Sequence, residues 1–136
     1  MSRYQILKEI FDTAEDDYYS LSTEEKTVYN LKSLLDAVNG DGLLSYYKSY
    51  AGGFALDALE ELYSVGMDEI AAIIDSANAI FPECVPPEDT DERVEIIEDW
   101  LGDYDALFDE WTDEILEFAA PLAYEIDRLV DEMEEA

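Results

Sequence analysis

The sequence predicts an all-α fold, a single compact domain of about six or seven helices over residues 1–136. Three observations predict it: apolar residues recur at three- and four-residue spacing along most of the chain, strand-type alternation is nearly missing, and capping and stop residues punctuate the helical stretches. A length of 136 residues lies within the usual single-domain range of roughly 100–200. With 49% hydrophobic residues, including ten Tyr, five Phe and two Trp, the chain can build a core, unlike an acidic disordered tail.

Tyr4, Leu7, Ile10 and Phe11 mark a first amphipathic stripe that fades into Glu15-Asp16-Asp17. Ser22, with Glu25 three positions later, is a capping box that opens a second helix through Val28, Leu31, Leu34, Leu35 and Val38. Asn39-Gly40-Asp41-Gly42 ends it, and a short aromatic segment around Tyr46-Tyr47 runs to the Gly52-Gly53 break. A helix from about Phe54 to Val65 follows, with Leu56, Leu59 and Leu62 inward and Gly66 as its terminal glycine. Ile70, Ile73, Ile74, Ala77 and Ile80 form the next stripe, stopped by Pro82, and Pro82 to Asp91 reads as a loop. Val94, Ile96, Ile97, Trp100 and Leu101 define a helix ending near Gly102, and Tyr104 to Trp111 reads as a connection. Thr112 is the expected cap of a final helix running to about Glu134, which Pro121 must kink or divide.

Charge narrows the function. Thirty-six acids stand against seven bases, a formal charge of −29. Met1 to Asp68 holds thirteen acids against Arg3, Lys8, Lys26, Lys32 and Lys48, whereas Glu69 to Ala136 holds twenty-three against Arg93 and Arg128. The net values are therefore −8 and −21. Solubility needs a net charge of only about 2–8 on a small domain, and salt adaptation would spread the acids evenly. An excess this large and this lopsided points to a cationic partner. Direct nucleic-acid binding is excluded by the same field, since seven dispersed cations cannot hold phosphate against it.

The absence of histidine removes Ser-His-Asp and Cys-His catalysis and His-ligated zinc. Cys84 is alone, so no intrachain disulfide forms, and no basic neighbour activates its thiol. With so many carboxylates, coincidental acid pairs are guaranteed and none is singled out, so no enzyme activity is expected. Asp103, Asp105, Asp109 and Glu114 match positions 1, 3, 7 and 12 of a calcium loop, but Leu107 and Phe108 hold positions 5 and 6, where a ligand and a glycine belong. No metal and no cofactor are expected. No stretch has the secretory pattern or the length for a membrane span, so the expected location is the cytoplasm.

The middle of the chain carries a recognisable pattern: Val38-Asn39-Gly40-Asp41-Gly42, Tyr46-Tyr47, Gly52-Gly53, Ala58-Leu59-Glu60 with Leu62 and Gly66, Ala77 to Pro82, and Asp105-Ala106-Leu107-Phe108-Asp109. This pattern resembles the neisserial DNA-mimic protein family, over roughly residues 23–123. The resemblance implies an all-helical fold that presents carboxylates in place of DNA phosphates and occupies the DNA-binding surface of a helix-turn-helix repressor. The chain departs from the family's Asn-Gly-Gly-Phe turn and following Gln: Asp41 and Gly42 replace the Gly-Phe portion, and Ser45 stands at the Gln position.

Fifteen acids fall in the thirty-five residues from Glu83 to Glu117, against Arg93 alone. On helices this is about one carboxylate per 3.5 Å of axis, close to the 3.4 Å phosphate spacing along a DNA strand. Glu88, Glu92, Glu95 and Asp99 are expected to share one helix face, and Asp109, Asp113 and Glu117 another. The candidate partner-binding residues are Glu88, Asp91, Glu92, Glu95, Glu98, Asp99, Asp103, Asp105, Asp109, Glu110, Asp113, Glu114 and Glu117. Trp100 and Trp111 are expected to anchor this surface from the core. The expected partner is a basic DNA-binding protein: a repressor, a restriction or CRISPR-type nuclease, or a nucleoid protein. The rival expectation is an acidic immunity or chaperone-like protein that neutralises a basic toxin without imitating DNA. The sequence leaves open whether the chain acts as a monomer or a homodimer.

Overall fold

The computed structural model describes residues 2–135. Among them are eight α-helices and no strand: α1 (Arg3–Asp17), α2 (Thr23–Asn39), α3 (Leu43–Lys48), α4 (Ala55–Ser64), α5 (Asp68–Asn78), α6 (Thr90–Asp99), α7 (Asp105–Leu116) and α8 (Ala119–Glu135). Short 3-10 turns lie at Tyr18–Ser20, Tyr50–Phe54 and Pro82–Cys84. The extra helix relative to expectation comes from the C-terminal third. The presumed connection from Tyr104 is itself helical, and the long final helix divides at Glu117–Phe118. Pro121 thereby falls in the first turn of α8, where its missing N–H has no intrahelical partner to lose.

Thr112 consequently caps no helix of its own. It sits within α7, where its Oγ1 donates to the Phe108 carbonyl (2.8 Å) and accepts from the Leu43 N–H (2.9 Å). In this way α7 satisfies the first turn of α3, whose own N-cap, Gly42, supplies no side chain. Gly42 stands at φ 105°, and a Cβ there would lie 3.3 Å from Thr112 Oγ1. The Asp41-Gly42 turn thus leaves room for α3 to seat against α7.

The Ser22–Glu25 capping box forms, with reciprocal bonds of 3.2 and 2.9 Å. α2 is the central helix, in contact with α1, α3, α4, α7 and α8, and Val28, Leu31, Leu34 and Val38 are buried along it. The stripe of α1 is rotated from expectation: Ile6, Ile10 and Ala14 point inward at four-residue spacing, whereas Tyr4 is exposed. On α4 the inward residues are Ala55, Ala58 and Leu62, and Leu56 faces solvent. Small residues face inward at 55 and 58 because α4 packs closely on α2 and α5. Tyr18 stacks on Phe54 with ring centroids 3.6 Å apart, joining the first 3-10 turn to the second.

Arg93 is the least expected element of the core. It is fully buried, and each of its guanidinium N–H groups has an acceptor. Nε donates to the Tyr47 carbonyl (2.9 Å), Nη1 to the carbonyls of Pro87 (2.6 Å) and Glu88 (2.7 Å), and Nη2 to the Ser49 carbonyl and to Thr90 Oγ1 (3.2 Å). One side chain therefore ties the end of α3, the proline loop and α6 together. Burial lowers the tendency of the guanidinium to hold its proton, although arginine remains charged under ordinary conditions. Gly53 lies directly beneath: a Cβ there would meet the Glu88 carbonyl oxygen at 2.6 Å and Arg93 Nη1 at 2.9 Å. The Gly52-Gly53 break is thus a requirement of close approach.

A second polar network links α2 and α4. Asn30 Nδ2 donates to Tyr18 Oη (2.9 Å) and Glu61 Oε1 (2.7 Å), Thr27 Oγ1 donates to Glu61 Oε2 (3.1 Å), and Tyr18 Oη donates to Asp57 Oδ2 (2.7 Å). Desolvation pushes the Glu61 carboxyl up to about 7, against the opposing effect of its two hydrogen bonds.

Two stability effects are expected. Arg93→Met takes the donor from five acceptors, of which the Tyr47 carbonyl is buried and the others partly so, and should lower unfolding free energy by on the order of 3 kcal/mol, read from urea titration. For Glu61, the folded state binds the proton more tightly than the unfolded chain, so this group's contribution is full below about pH 4.5 and is lost as pH rises to about 7. Glu61→Gln removes the charge, keeps the bond from Asn30 Nδ2 at its carbonyl oxygen, and reverses the other so that its amide N–H donates to Thr27 Oγ1, whose own hydroxyl proton can go to the Thr23 carbonyl. It should raise the melting temperature at pH 8 and flatten its pH dependence between about 4.5 and 7; an unchanged pH profile would contradict the assignment.

Candidate interaction surface on α6 and α7

The acidic helices form because local chemistry outweighs their self-repulsion. Asp89 caps α6, its Oδ1 accepting from the N–H groups of Asp91 (2.8 Å) and Glu92 (3.3 Å). Asp91 and Glu92 lie in the first turn, where negative charge complements the helix dipole. Like charges at four-residue spacing cost about 0.2–0.5 kcal/mol per pair, a penalty that caps and burial can offset. Only Arg93 and Ile97 of α6 are buried, and only Phe108 and Ile115 of α7. Both helices therefore present most of their circumference to solvent.

An aromatic cluster supports them from beneath. Trp100, half-buried just after α6, lies 5.2 Å from Phe81, 5.1 Å from Tyr104 and 5.9 Å from Phe108, centroid to centroid. Phe108 in turn meets Trp111 at 5.2 Å and Tyr47 at 5.9 Å. Trp100 and Trp111 occupy the anchoring positions expected of them, and α6 and α7 both rest on α3.

All thirteen candidate residues are exposed. Around Ile96 the structure brings together Glu92, Glu95, Glu98 and Asp99, which line one shallow depression. On α7, Asp105, Asp109 and Asp113 follow one another at four-residue spacing, and Glu110 and Glu114 do the same beside them. Glu117 is the C-cap of α7 with helical dihedrals, so it continues that register. Five acids in the ten residues of α6 and five in the twelve of α7 correspond to about 3.0 and 3.6 Å of axis per carboxylate. The row is broken into two rods by the turn holding the exposed Asp103.

Glu88 departs from expectation. α6 begins at Thr90, so Glu88 is not on its face, and its Oε1 accepts from the Tyr19 hydroxyl at 2.5 Å. That bond holds the Tyr19 hydroxyl up at about 12. The residues that matched a calcium loop lie in a turn and along a continuous helix, and so do not wrap a central point. Among the described residues no group of three His, Cys, Asp or Glu is arranged to hold a metal ion.

Neutralising cations are placed elsewhere. Arg3 pairs with Asp127 (3.5 Å) and Asp131, Lys8 with Asp12 (2.7 Å), Lys32 with Asp36 (2.8 Å), and Arg128 with Glu125 (2.9 Å) and Glu132 (2.7 Å). Lys26 lies over the rings of Tyr18 and Tyr19, at 5.4 and 5.7 Å. Among the described residues no salt bridge reaches a carboxylate between positions 83 and 117. Arg93, the one cation in that stretch, spends its donors on backbone carbonyls and Thr90.

Leu101 is a surface feature the periodicity misplaced. Expected on the inner face of a helix, it is 87% exposed at φ 52°, in the turn between the two acidic rods. The adjoining Gly102, at φ 79°, was the available signal for a left-handed turn there. Among the described residues no helix is long and apolar enough to cross a membrane.

Comparison with characterised proteins and with solved structures gives no significant match. The DMP19-like protein family matches residues 19–135, from the first 3-10 turn to the end of α8 and a longer span than the motifs alone suggested. With that match covering most of its length, on an all-helical fold, the chain belongs to the DMP19-like protein family, the DNA-mimic family that its motifs resemble.

Proposed function

We propose that the chain is a non-enzymatic DNA mimic, which occupies the basic DNA-binding surface of a nucleic-acid-binding protein and inhibits it by stoichiometric competition in the cytoplasm. The observation that carries this reading is the unneutralised acid of α6 and α7: exposed carboxylates at phosphate-like density, with the stretch's only cation buried beneath them. Family membership supports it in general terms. A helix-turn-helix repressor is the partner class the family suggests, and a nuclease or nucleoid protein presents the same kind of basic surface. Long-range attraction would accelerate encounter, while the aromatic support keeps the carboxylates from rearranging when the partner arrives. Leu101, with Tyr104 beside it at 37% exposure, offers apolar contact among the charges.

The test is competition. A basic repressor captured by this chain should be released by duplex DNA, one site for one site; a partner held equally well in saturating duplex would instead identify an acidic immunity protein. Association should slow steeply between about 0.05 and 0.3 M salt, with dissociation changing less. Reversing Glu92, Glu95, Asp99 and Asp109 together to Lys should weaken binding by about a hundredfold or more and leave helicity intact. The same reversal at Glu15, Asp16 and Asp17 should cost about tenfold or less. Equal losses from the two sets, measured by surface plasmon resonance, would replace a localised surface with a diffuse field.

A further inference from the structure

A second interaction surface lies where α1, the start of α2 and the end of α8 meet. Ile6 and Ile10 from α1 and Leu129 and Met133 from α8 form an apolar floor. Glu9, Glu24, Glu25 and Glu132 stand around it. Two of these carboxylates are already engaged: Glu25 in the capping box with Ser22, and Glu132 with Arg128. Glu9 and Glu24 have no hydrogen bond or ion pair among the described residues and are exposed. The family match begins at residue 19, so half of the floor comes from a helix outside the matched region.

We propose that this groove is the docking site for a cationic amphipathic helix of a protein partner. An apolar floor between two helices takes the apolar stripe of a third, read out at i, i+3, i+4 and i+7. Carboxylates along the edges select Lys or Arg flanking that stripe. Met133 contributes an unbranched, polarisable side chain of the kind that adapts to varied apolar partners. A second copy of this chain is the wrong occupant, because it brings its own charge of −29, and its α1 and α8 cations Arg3, Lys8 and Arg128 are already paired with neighbouring acids. The groove shares no lining residue with α6 or α7, so its occupation does not depend on DNA mimicry.

The probe is a synthetic peptide of about 18 residues, with Leu at helical spacing and Lys elsewhere, compared with an isomer of the same composition whose order destroys the apolar stripe. At about 0.15 M salt the amphipathic peptide should bind at least about tenfold tighter than the isomer, read by fluorescence anisotropy. Methyl NMR should place its largest shifts at Ile6, Ile10, Leu129 and Met133. Glu9→Lys with Glu24→Lys should remove that preference, whereas Glu15→Lys with Asp16→Lys, the same change in net charge, should leave it. Equal affinity for both peptides, equal effects of the two double variants, or methyl shifts confined to Ile96 and Leu107 would each overturn the proposal. So would a dimer, detected by sedimentation, that the Glu9→Lys, Glu24→Lys variant dissolves, because the groove would then belong to a second copy.

Discussion

Burial of the Arg93 guanidinium is the constraint on which the acidic half of the molecule depends. A buried charge is tolerated only when its donors are satisfied, and here five acceptors from three separate segments converge on it. Each acceptor is a backbone or hydroxyl oxygen that would itself be costly to leave unpaired. Between Pro82 and Asp89 only Pro86 is buried, so apolar packing fixes little of the loop. Its carbonyls at Pro87 and Glu88 are fixed instead by hydrogen bonds to a side chain one turn into α6.

The same arrangement shapes the surface field. An arginine among fifteen acids would ordinarily pair with a carboxylate and soften the charge around it. By turning inward onto carbonyls, Arg93 contributes cohesion and leaves the carboxylates of α6 unpaired. Of the other cations, Arg3 joins α1 to α8, Lys8, Lys32 and Arg128 each brace their own helix, and Lys48 stands in the last turn of α3. Among the described residues the ion pairs are thus confined to α1, α2 and α8, and none reaches the carboxylates of α6 and α7.

Rigidity under the acidic end comes from aromatic packing, which like-charge repulsion cannot easily deform. Tyr47 shows how several elements share one anchor: its ring meets Phe81 and Phe108, its hydroxyl donates to Asn78 Oδ1 (2.6 Å), and its carbonyl accepts from Arg93. Interior packing is dense and resists displacement. Charge alone would leave the acidic rods free to splay, whereas charge on this platform keeps a defined spacing.

The sequence by itself determined the fold class, the Ser22–Glu25 start of α2, the Gly66 stop of α4, the family, and the excess of acid between residues 83 and 117. Each follows from local patterning: a helix repeats every 3.6 residues, caps act within four residues, and composition needs no fold. Only the tertiary structure decided that Thr112 completes α3 from α7, that Arg93 faces the core, that Glu88 turns to Tyr19, and that Leu101 stands in solvent. Thr112 and Leu43 are 69 residues apart, and Arg93 and Tyr47 are 46 apart. Nothing in the 3.6-residue period distinguishes an arginine pointing out from one pointing into a ring of carbonyls. That direction is set by which distant backbone oxygens are left without an intrahelical partner when the helices pack, and those oxygens converge on one point only once the chain has folded.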